Sequence, residues 1–331
     1  LLHILLGLGF AAGILKVPMS AWQKHGQILF ILGLLLLFVV LLPGVGVRVN
    51  GSIRWLQIAG LRIQVSEVMK LISIVYMASY ITRHGDNVRN SAVGLLRPLV
   101  WFSIACVLLL MEPDFGSAVV IVIIAMGMMF LGGARISQFV VLLGLVSVLA
   151  VILVKTSPYR LARVMSFSDP WADAKNTGFQ LTQALISFGR GEFFGVGLGN
   201  GIQKLFYLPE AHTDFLFSVL GEELGLLGVV SVIALFSVLI YRAFIIGAKA
   251  EKREQPFSAL VAYGLGIWFG FQSFVNMGVN MGMLPTKGLT LPLMSYGGGS
   301  MIVMCGAMAL LFRIQYELNA GTSRPVSGVN L

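Results

Sequence analysis

The residues best suited to chemistry lie between Lys204 and Gly225, in a stretch that reads KLFYLPEAHTDFLFSVLGEELG. Only 14 of the 331 residues are Asp or Glu, yet five ionisable groups gather here at the start of an apolar run: Glu210, His212, Asp214, Glu222 and Glu223. An ionisable group beside lipid is a candidate functional group by default. Asp214 is the strongest candidate, because a carboxylate at a membrane–water boundary can serve as a general base toward a hydroxyl group.

Helical spacing separates the members of this cluster. If Thr213 caps a helix that begins with Asp214, the carboxylate could serve only to satisfy backbone N–H groups, and that structural role stays open. At about 100° per residue, Ser218 shares the face of Asp214, Glu222 lies about 80° away and Glu223 points to the opposite side. Glu223 is therefore a poor partner for Asp214.

Composition places these residues in an integral membrane protein. Hydrophobic residues make up 57 % of the chain and charged residues 11 %, against roughly 45–50 % and about 25 % in soluble domains. Nine apolar runs without the alternation of barrel strands predict helical spans; they are Leu1–Leu15, Ile28–Leu42, Val65–Ile81, Leu99–Met111, Ala118–Leu131, Phe139–Val154, Phe215–Tyr241, Phe257–Met281 and Met301–Phe312. We therefore expect an all-α, polytopic transmembrane helix bundle, a single integral membrane domain over residues 1–331. Because the chain opens inside an apolar run, we also expect a segment before Leu1.

The distribution of Lys and Arg among the links between spans predicts which side of the membrane each link faces. Alternate links carry twelve cations on the side taken as cytoplasmic and ten on the other, six of them in one long link. That link, residues 155–213 between the sixth and seventh visible spans, is predicted to be an extracytoplasmic insert with its own elements, including an amphipathic helix over Thr177–Phe188. The glycine-rich segment that follows, residues 189–201, could bring backbone N–H groups to a phosphate or could simply be flexible. The basic outer face suits a phosphate-bearing ligand, although scattered solvated arginines would look the same.

Polar residues within the other runs have structural and functional readings. Glu67 and Lys70, at i and i+3, can neutralise each other inside the membrane. Asp114 can cap the following helix, and two asparagines one turn apart, Asn276 and Asn280, favour hydrogen bonds between helices. The segment MGMLPTKGLTLPLMSYGGGS breaks the helical pattern on the outer side, which implies a cavity. Both cysteines fall within spans, so neither a disulfide nor a metal site is expected.

Four motifs in register carry a resemblance that covers nearly the whole chain. LPEAHTDFLFSVLGEELG, MGMLPTKGLTLPLMSYGGGS, RVNGSIRW with IQVSEVMK, and EPDFGS resemble the SEDS family of bacterial cell-wall proteins, and its division branch (FtsW) more than its elongation branch (RodA). The resemblance implies a ten-helix inner-membrane glycosyltransferase that polymerises lipid II at the division septum, on the periplasmic side, with a class B penicillin-binding transpeptidase of the FtsI type and other divisome membrane proteins as partners. The nine runs would be its helices two to ten.

The resemblance also distributes roles among the residues. It places the family's essential aspartate on Asp214, as the expected general base, and its Glu–Lys pair on Glu67 and Lys70. The expected substrate-binding residues are Arg54, Lys204, His212, Thr213, Ser218, Lys287, Ser295 and Tyr296. The expected residues that order the site are Glu67, Lys70, Asp114 and Glu210. Val65, Glu112 and Gly299 depart from the family's usual Pro, Gln and Ser.

The sequence also bears on cofactors and on two alternative functions. No dedicated metal cage is visible, although Mg²⁺ or Mn²⁺ could accompany the substrate's diphosphate. No nucleotide-binding unit is present, which suits a lipid-linked donor, and no nucleic-acid partner is expected. A lipid II flippase is the first alternative, because polar residues inside a bundle also line transport paths. The second is a scaffold whose polar motifs only recruit the division machinery.

Overall fold

The structure, a computed structural model, describes residues 2–49, 52–58, 60–176, 178–285 and 288–322. Within these ranges the chain is predominantly helical. Its α-helices are α1 (Leu2–Lys16), α2 (Met19–Val40), α3 (Val65–Asn90), α4 (Ala92–Met111), α5 (Phe115–Leu131), α6 (Ile136–Lys155), α7 (Pro158–Ser168), α8 (Phe179–Gly191), α9 (Leu216–Lys252), α10 (Pro256–Asn280) and α11 (Gly298–Thr322). A short π-helical segment, Gln203–Tyr207, lies between α8 and α9.

Each of the nine apolar runs corresponds to one of these helices. Seven helices among the described residues are long and apolar enough to cross a membrane, and α1 and α5 are shorter apolar helices. In lipid an α-helix satisfies its own backbone hydrogen bonds, which is why hydropathy alone locates such helices well. The helical membrane class is therefore confirmed, whereas the count of nine spans stays a prediction.

The chain divides into two compact units. The first comprises Leu1–Arg135, Leu239–Trp268 and Gly298–Leu331, and the second comprises Ile136–Val238 and Phe269–Gly297. In the first unit α3 packs against α2, α4, α5 and α11. Its residues are buried almost all round, as expected for a central helix. At Gly33 of α2 an added Cβ would lie 2.7 Å from Met69 Sδ, so the glycine permits the close approach of α2 to α3.

A small antiparallel sheet links α2 to α3. Its strands are β1 (Gly46–Val49), β2 (Ser52–Ile58) and β3 (Leu61–Gln64), in the order β1-β2-β3. Gly46 pairs with Leu56, and Leu56 pairs with Ile63. The sequence there looks extended around Asn50-Gly51, and the strands confirm this reading, although the turn pair itself lies outside the described residues.

The second unit contains the long link and the segments around it. The link has its own helices, α7 and α8, and α8 confirms the predicted amphipathic helix with slightly later bounds. Residues from α8, from the turns between the π-helical segment and α9, and from α9 and α10 share one apolar core, formed by Ala184, Leu208, Ala211, Phe215, Val219 and Val279. α6 keeps only Leu142 buried, as expected for a helix that faces lipid.

Helix α9 is broken at Gly225, where φ is 65° and ψ is −161°. The break frees main-chain groups, and the segment after α8 bonds to them: Leu226 N donates to Glu192 O at 2.9 Å, and Val196 N donates to Glu222 O at 3.0 Å. An added Cβ at Gly225 would lie 2.4 Å from the main-chain nitrogen of Gly195. Only glycine combines this positive φ with so close an approach.

Candidate active site around Asp214

Asp214 lies in a turn immediately before α9, which begins at Leu216. Asp214 is half-buried and is followed in the chain by the buried Phe215. The expectation that the helix begins with Asp214 and is capped by Thr213 is wrong, because the Thr213 hydroxyl donates to the Glu210 carboxylate at 2.6 Å and to its carbonyl oxygen at 3.2 Å. Glu210 thus contacts the turn that carries Asp214, and its role in ordering the site stays a prediction.

Two asparagines of α10 hold the main chain at Asp214. Asn276 Nδ2 donates to the Asp214 carbonyl oxygen at 2.8 Å, and Asn280 Nδ2 donates to the same atom at 2.9 Å. Both asparagines are buried. Asn280 Oδ1 also accepts from Ser218 N at 3.0 Å, which anchors the first turn of α9. The carbonyl is therefore fixed from one side by two amides one helical turn apart.

A loop after α10 completes the surroundings of Asp214. Ser295 Oγ donates to the Thr213 carbonyl oxygen at 2.6 Å, and Tyr296 N donates to the His212 carbonyl oxygen at 2.8 Å. An added Cβ at Gly288 would lie 3.1 Å from Asp214 Oδ2. The structure therefore brings four predicted substrate-binding residues beside Asp214: His212, Thr213, Ser295 and Tyr296.

The sequence assigned no role at the site to three residues that lie beside Asp214: two asparagines that bond to it and one glycine near its carboxylate. Asn276 and Asn280 were expected only to join helices, and the identity of their partner, a carbonyl more than sixty positions away, has no signal in the sequence. Gly288 was treated as part of a helix break. Its lack of a side chain beside a carboxylate oxygen is visible only in three dimensions.

Two further predicted binding residues face other partners. Ser218 is fully buried, and its hydroxyl donates to the Phe215 carbonyl oxygen at 2.8 Å. Lys204 Nζ lies 2.5 Å from Glu223 Oε1. Binding of a diphosphate by Lys204 would require this ion pair to exchange, and the role stays a prediction. Lys287 lies outside the described residues.

Glu222 and Glu223 fasten the glycine-rich segment to α9. The Glu222 carboxylate is fully buried and accepts from Arg190 Nη1 at 2.8 Å and from the main-chain N–H groups of Ile202 and Gln203 at 3.1 and 3.2 Å. Glu223 accepts from Gly199 N at 3.0 Å. These carboxylates occupy N–H groups that a phosphate would need, so the segment is held in place rather than loosely flexible.

The remaining predicted residues belong to the first unit. Lys70 Nζ lies 2.6 Å from Glu67 Oε1, which confirms the buried pair, and it also lies 5.4 Å from the centroid of the Trp268 ring. Asp114 caps α5 through Ser117 N at 3.1 Å, as expected. Arg54 donates to Ser52 Oγ at 3.2 Å on β2, and its predicted contact with substrate stays a prediction.

Glu112, in the turn after α4, is fully buried, and neither carboxyl oxygen has a hydrogen-bond partner among the described residues. Burial raises the pKa of Glu112 to about 8; the Asp114 carboxylate adds to this effect and Arg54 opposes it. The carboxyl is therefore largely protonated at neutral pH.

Metal binding at Asp214 would depend on the substrate. Among the described residues no group of three or more His, Cys, Asp or Glu side chains could hold an ion. Mg²⁺ is commonly bound by one or two carboxylates together with substrate phosphates. A single carboxylate at Asp214 fits that arrangement, and the divalent cation remains an expectation.

The arrangement at Asp214 can be compared with known proteins. Residues 1–320 match the cell cycle protein family of FtsW, RodA and SpoVE. The chain belongs to this family. The match confirms the resemblance read from the four motifs.

Relatives within the family cover almost the whole chain. A protein of Methylomonas methanica named probable peptidoglycan glycosyltransferase FtsW is 73 % identical over 318 residues, which are 96 % of this chain and 82 % of that protein. A protein of Methylococcus capsulatus with the same name is 61 % identical over 317 residues, 96 % of this chain and 80 % of that protein. The relatives therefore favour the FtsW branch, as the motifs did.

Solved structures confirm the fold of the family. One, described as "Structural coordination of polymerization and crosslinking by a peptidoglycan synthase complex", has a TM-score of 0.79 and 27 % identity, and the match covers 96 % of this chain and 88 % of that chain. The rod shape determining protein RodA of Thermus thermophilus has a TM-score of 0.69 and 26 % identity, with 96 % and 86 % covered. The chain is thus a multi-pass helical membrane protein of this family.

Proposed function

We propose that this protein is a peptidoglycan glycosyltransferase that polymerises lipid II at the division septum. The observation that carries the proposal is the immobilised main chain at Asp214, held by Asn276 and Asn280 beside Gly288. A catalytic group needs such preorganisation, because it must not move away from the reacting atoms when charge develops. The relatives named as peptidoglycan glycosyltransferases support the same activity.

In the proposed reaction, Asp214 orients or deprotonates the acceptor hydroxyl of one lipid II. That oxygen attacks the anomeric carbon of the donor sugar, and the bond to the undecaprenyl diphosphate breaks. General-base assistance of this kind contributes about 10²–10⁴-fold to rate. Lys287 would neutralise the leaving diphosphate, with or without a divalent cation. Lys204 would do the same after exchanging its ion pair with Glu223 for the diphosphate. Exposed His212 and Tyr296 would contact the sugars.

The proposed setting is the periplasmic side of the inner membrane, with a class B penicillin-binding transpeptidase as partner. The similar structure of a complex that coordinates polymerisation and crosslinking supports such a partner. Other divisome membrane proteins would bring the pair to the septum. The flippase alternative is not favoured, since the similar relatives carry the name of a glycosyltransferase.

The test is polymerisation of labelled lipid II by the protein reconstituted with its transpeptidase. We expect Asp214→Asn to lower the rate about 10²–10⁴-fold. Asp86→Asn, at an exposed aspartate in the first unit, is the matched control and should retain the rate. Polymer formation by Asp214→Asn at the wild-type rate would exclude the catalytic role. Transfer of lipid II across vesicles without polymer would instead favour the flippase.

A further inference from the structure

A cavity lies within the first unit, between α2, α3 and α4, and its lining residues are well apart in sequence from Asp214. Its volume is about 510 Å³, within the range of roughly 300–1,000 Å³ typical of small-molecule sites. Arg83, His84 and Arg97 line it, and its lining contains no Asp or Glu among the described residues. The cavity is therefore a concave, cationic site whose chemistry favours an anion.

Hydrogen bonds fix the frame of this cavity. Arg83 Nη2 donates to the Gln23 carbonyl oxygen at 2.6 Å and to Ser79 Oγ at 2.8 Å, which holds its guanidinium between α2 and α3. The Tyr80 hydroxyl donates to the Gly94 carbonyl oxygen at 2.6 Å and ties α3 to α4. These hydrogen bonds join all three helices, so contacts within the protein itself hold the walls of the cavity.

Arg97 supplies the charge that faces outward. Its side chain is exposed, and within the described part of the chain it makes no hydrogen bond or ion pair. Guanidinium groups bind phosphate with paired, charge-assisted hydrogen bonds. An exposed arginine that lines the same cavity as a second, already positioned arginine is an arrangement that a phosphate group could use.

The surfaces beside the cavity are apolar and exposed. Val100 and Ile104 on α4 are 60 % and 42 % exposed, and Ile28 on α2 is 57 % exposed. Both helices belong to the set long and apolar enough to cross a membrane, so these side chains face acyl chains. Trp101 also lines the cavity and is 39 % exposed. Tryptophan is enriched at membrane–water interfaces, which fits a position in this cavity.

We propose that this cavity binds the phosphate of an anionic phospholipid, whose acyl chains lie along α2 and α4. The cationic lining selects the phosphate, and the adjoining apolar surface distinguishes a lipid from a soluble phosphate. Basic pockets between transmembrane helices on the cytoplasmic side hold such head groups in general. Arg83 and Arg97 lie on the side that the cation pattern assigns to the cytoplasm, where anionic lipids are available. The site is independent of the proposed catalytic function.

The test is native mass spectrometry of the full chain with dioleoyl-phosphatidylglycerol and dioleoyl-phosphatidylcholine, which share their acyl chains. We expect the wild type to retain phosphatidylglycerol preferentially and Arg97→Gln to reduce its binding about fivefold. Arg242→Gln, at an exposed arginine of α9 in the same unit, is the matched control and should keep the preference. Unchanged preference in Arg97→Gln, or equal loss in both variants, would overturn the proposal.

A second variant keeps the proposal testable if Arg97→Gln does not fold. Gln27→Glu adds a negative charge at an exposed residue of the cavity lining, so it should lower the binding of phosphatidylglycerol while the binding of phosphatidylcholine stays unchanged. Competition with glycerol phosphate shows whether the cavity binds a lipid or a soluble phosphate. If it displaces the lipid only at far higher concentration, the lipid is the occupant. If it binds as tightly as phosphatidylglycerol, the acyl chains contribute nothing and the lipid assignment fails.

Discussion

Asn276→Ala should loosen the main chain at Asp214 and slow polymerisation. The substitution removes one side-chain amide, whose nitrogen donates to the Asp214 carbonyl oxygen at 2.8 Å and to the Leu289 carbonyl oxygen at 2.6 Å. The first loss costs about 1 kcal/mol, and leaving the buried Leu289 carbonyl without this donor costs about 1–3 kcal/mol, so the free energy of unfolding should fall by about 2–4 kcal/mol. A displacement of about 1 Å at a catalytic group costs on the order of 100-fold in rate. Because Asn280 still holds the carbonyl, we expect a smaller loss, on the order of tenfold.

The assay measures polymer from labelled lipid II at saturating substrate, beside thermal unfolding of the same preparation. Ser273→Ala is the matched control: this buried hydroxyl lies on the same helix, and among the described residues it donates only within that helix, to the Phe269 and Gly270 carbonyl oxygens at 2.5 and 3.2 Å. The control should leave the rate unchanged. If Asn276→Ala lowers the unfolding midpoint but polymerises at the rate of the control, the asparagine supports the fold alone and the positioning argument is refuted.

Three other substitutions test separate parts of the structure. Gly288→Ala places a Cβ 3.1 Å from Asp214 Oδ2, so it should reduce the polymerisation rate on the order of tenfold with little change in thermal unfolding; an unchanged rate would mean that the carboxylate tolerates the methyl group. Burial raises the pKa of Glu112 to about 8 from an ordinary value of 4.5; the folded state therefore holds a proton that the unfolded state releases, and stability should fall as pH rises from about 5 through 8. Glu112→Gln should flatten that slope in unfolding scans from pH 5 to 9, and an identical slope would contradict the assignment. Glu222→Gln should destabilise the protein by about 2–4 kcal/mol, because an amide cannot accept from Arg190 and both loop N–H groups; limited proteolysis of the loop would detect the release.

The sequence was sufficient for the helices but not for the site. Apolar runs predicted the helices because lipid leaves the backbone few alternatives. The same reasoning treated Asp214 to Glu223 as one helix and so made Asp214 its first residue. The structure begins α9 at Leu216, since the Asp214 carbonyl is taken by amides of α10 instead of by its own helix. The break at Gly225 was equally hidden, because its cause is the close approach of the segment at Gly195. Contacts between residues far apart in sequence decided each of these points.

The same contacts separate the acidic cluster into two roles. Glu222 is committed to Arg190 and two main-chain N–H groups, and Glu223 is committed to Lys204 and Gly199. These carboxylates fasten the loop to α9, so replacing them changes the fold before it changes chemistry.

Asp214 differs because its two contacts with the asparagines are made by its carbonyl oxygen, which every residue possesses. Asp214→Asn keeps both hydrogen bonds and changes only the ionisable group. The variant should therefore keep the main-chain contacts with Asn276 and Asn280 and lose polymerisation, and thermal unfolding of the same preparation measures its stability. A rate loss that came with an equal loss of stability would assign Asp214 to the structure, as it does Glu222, rather than to the reaction.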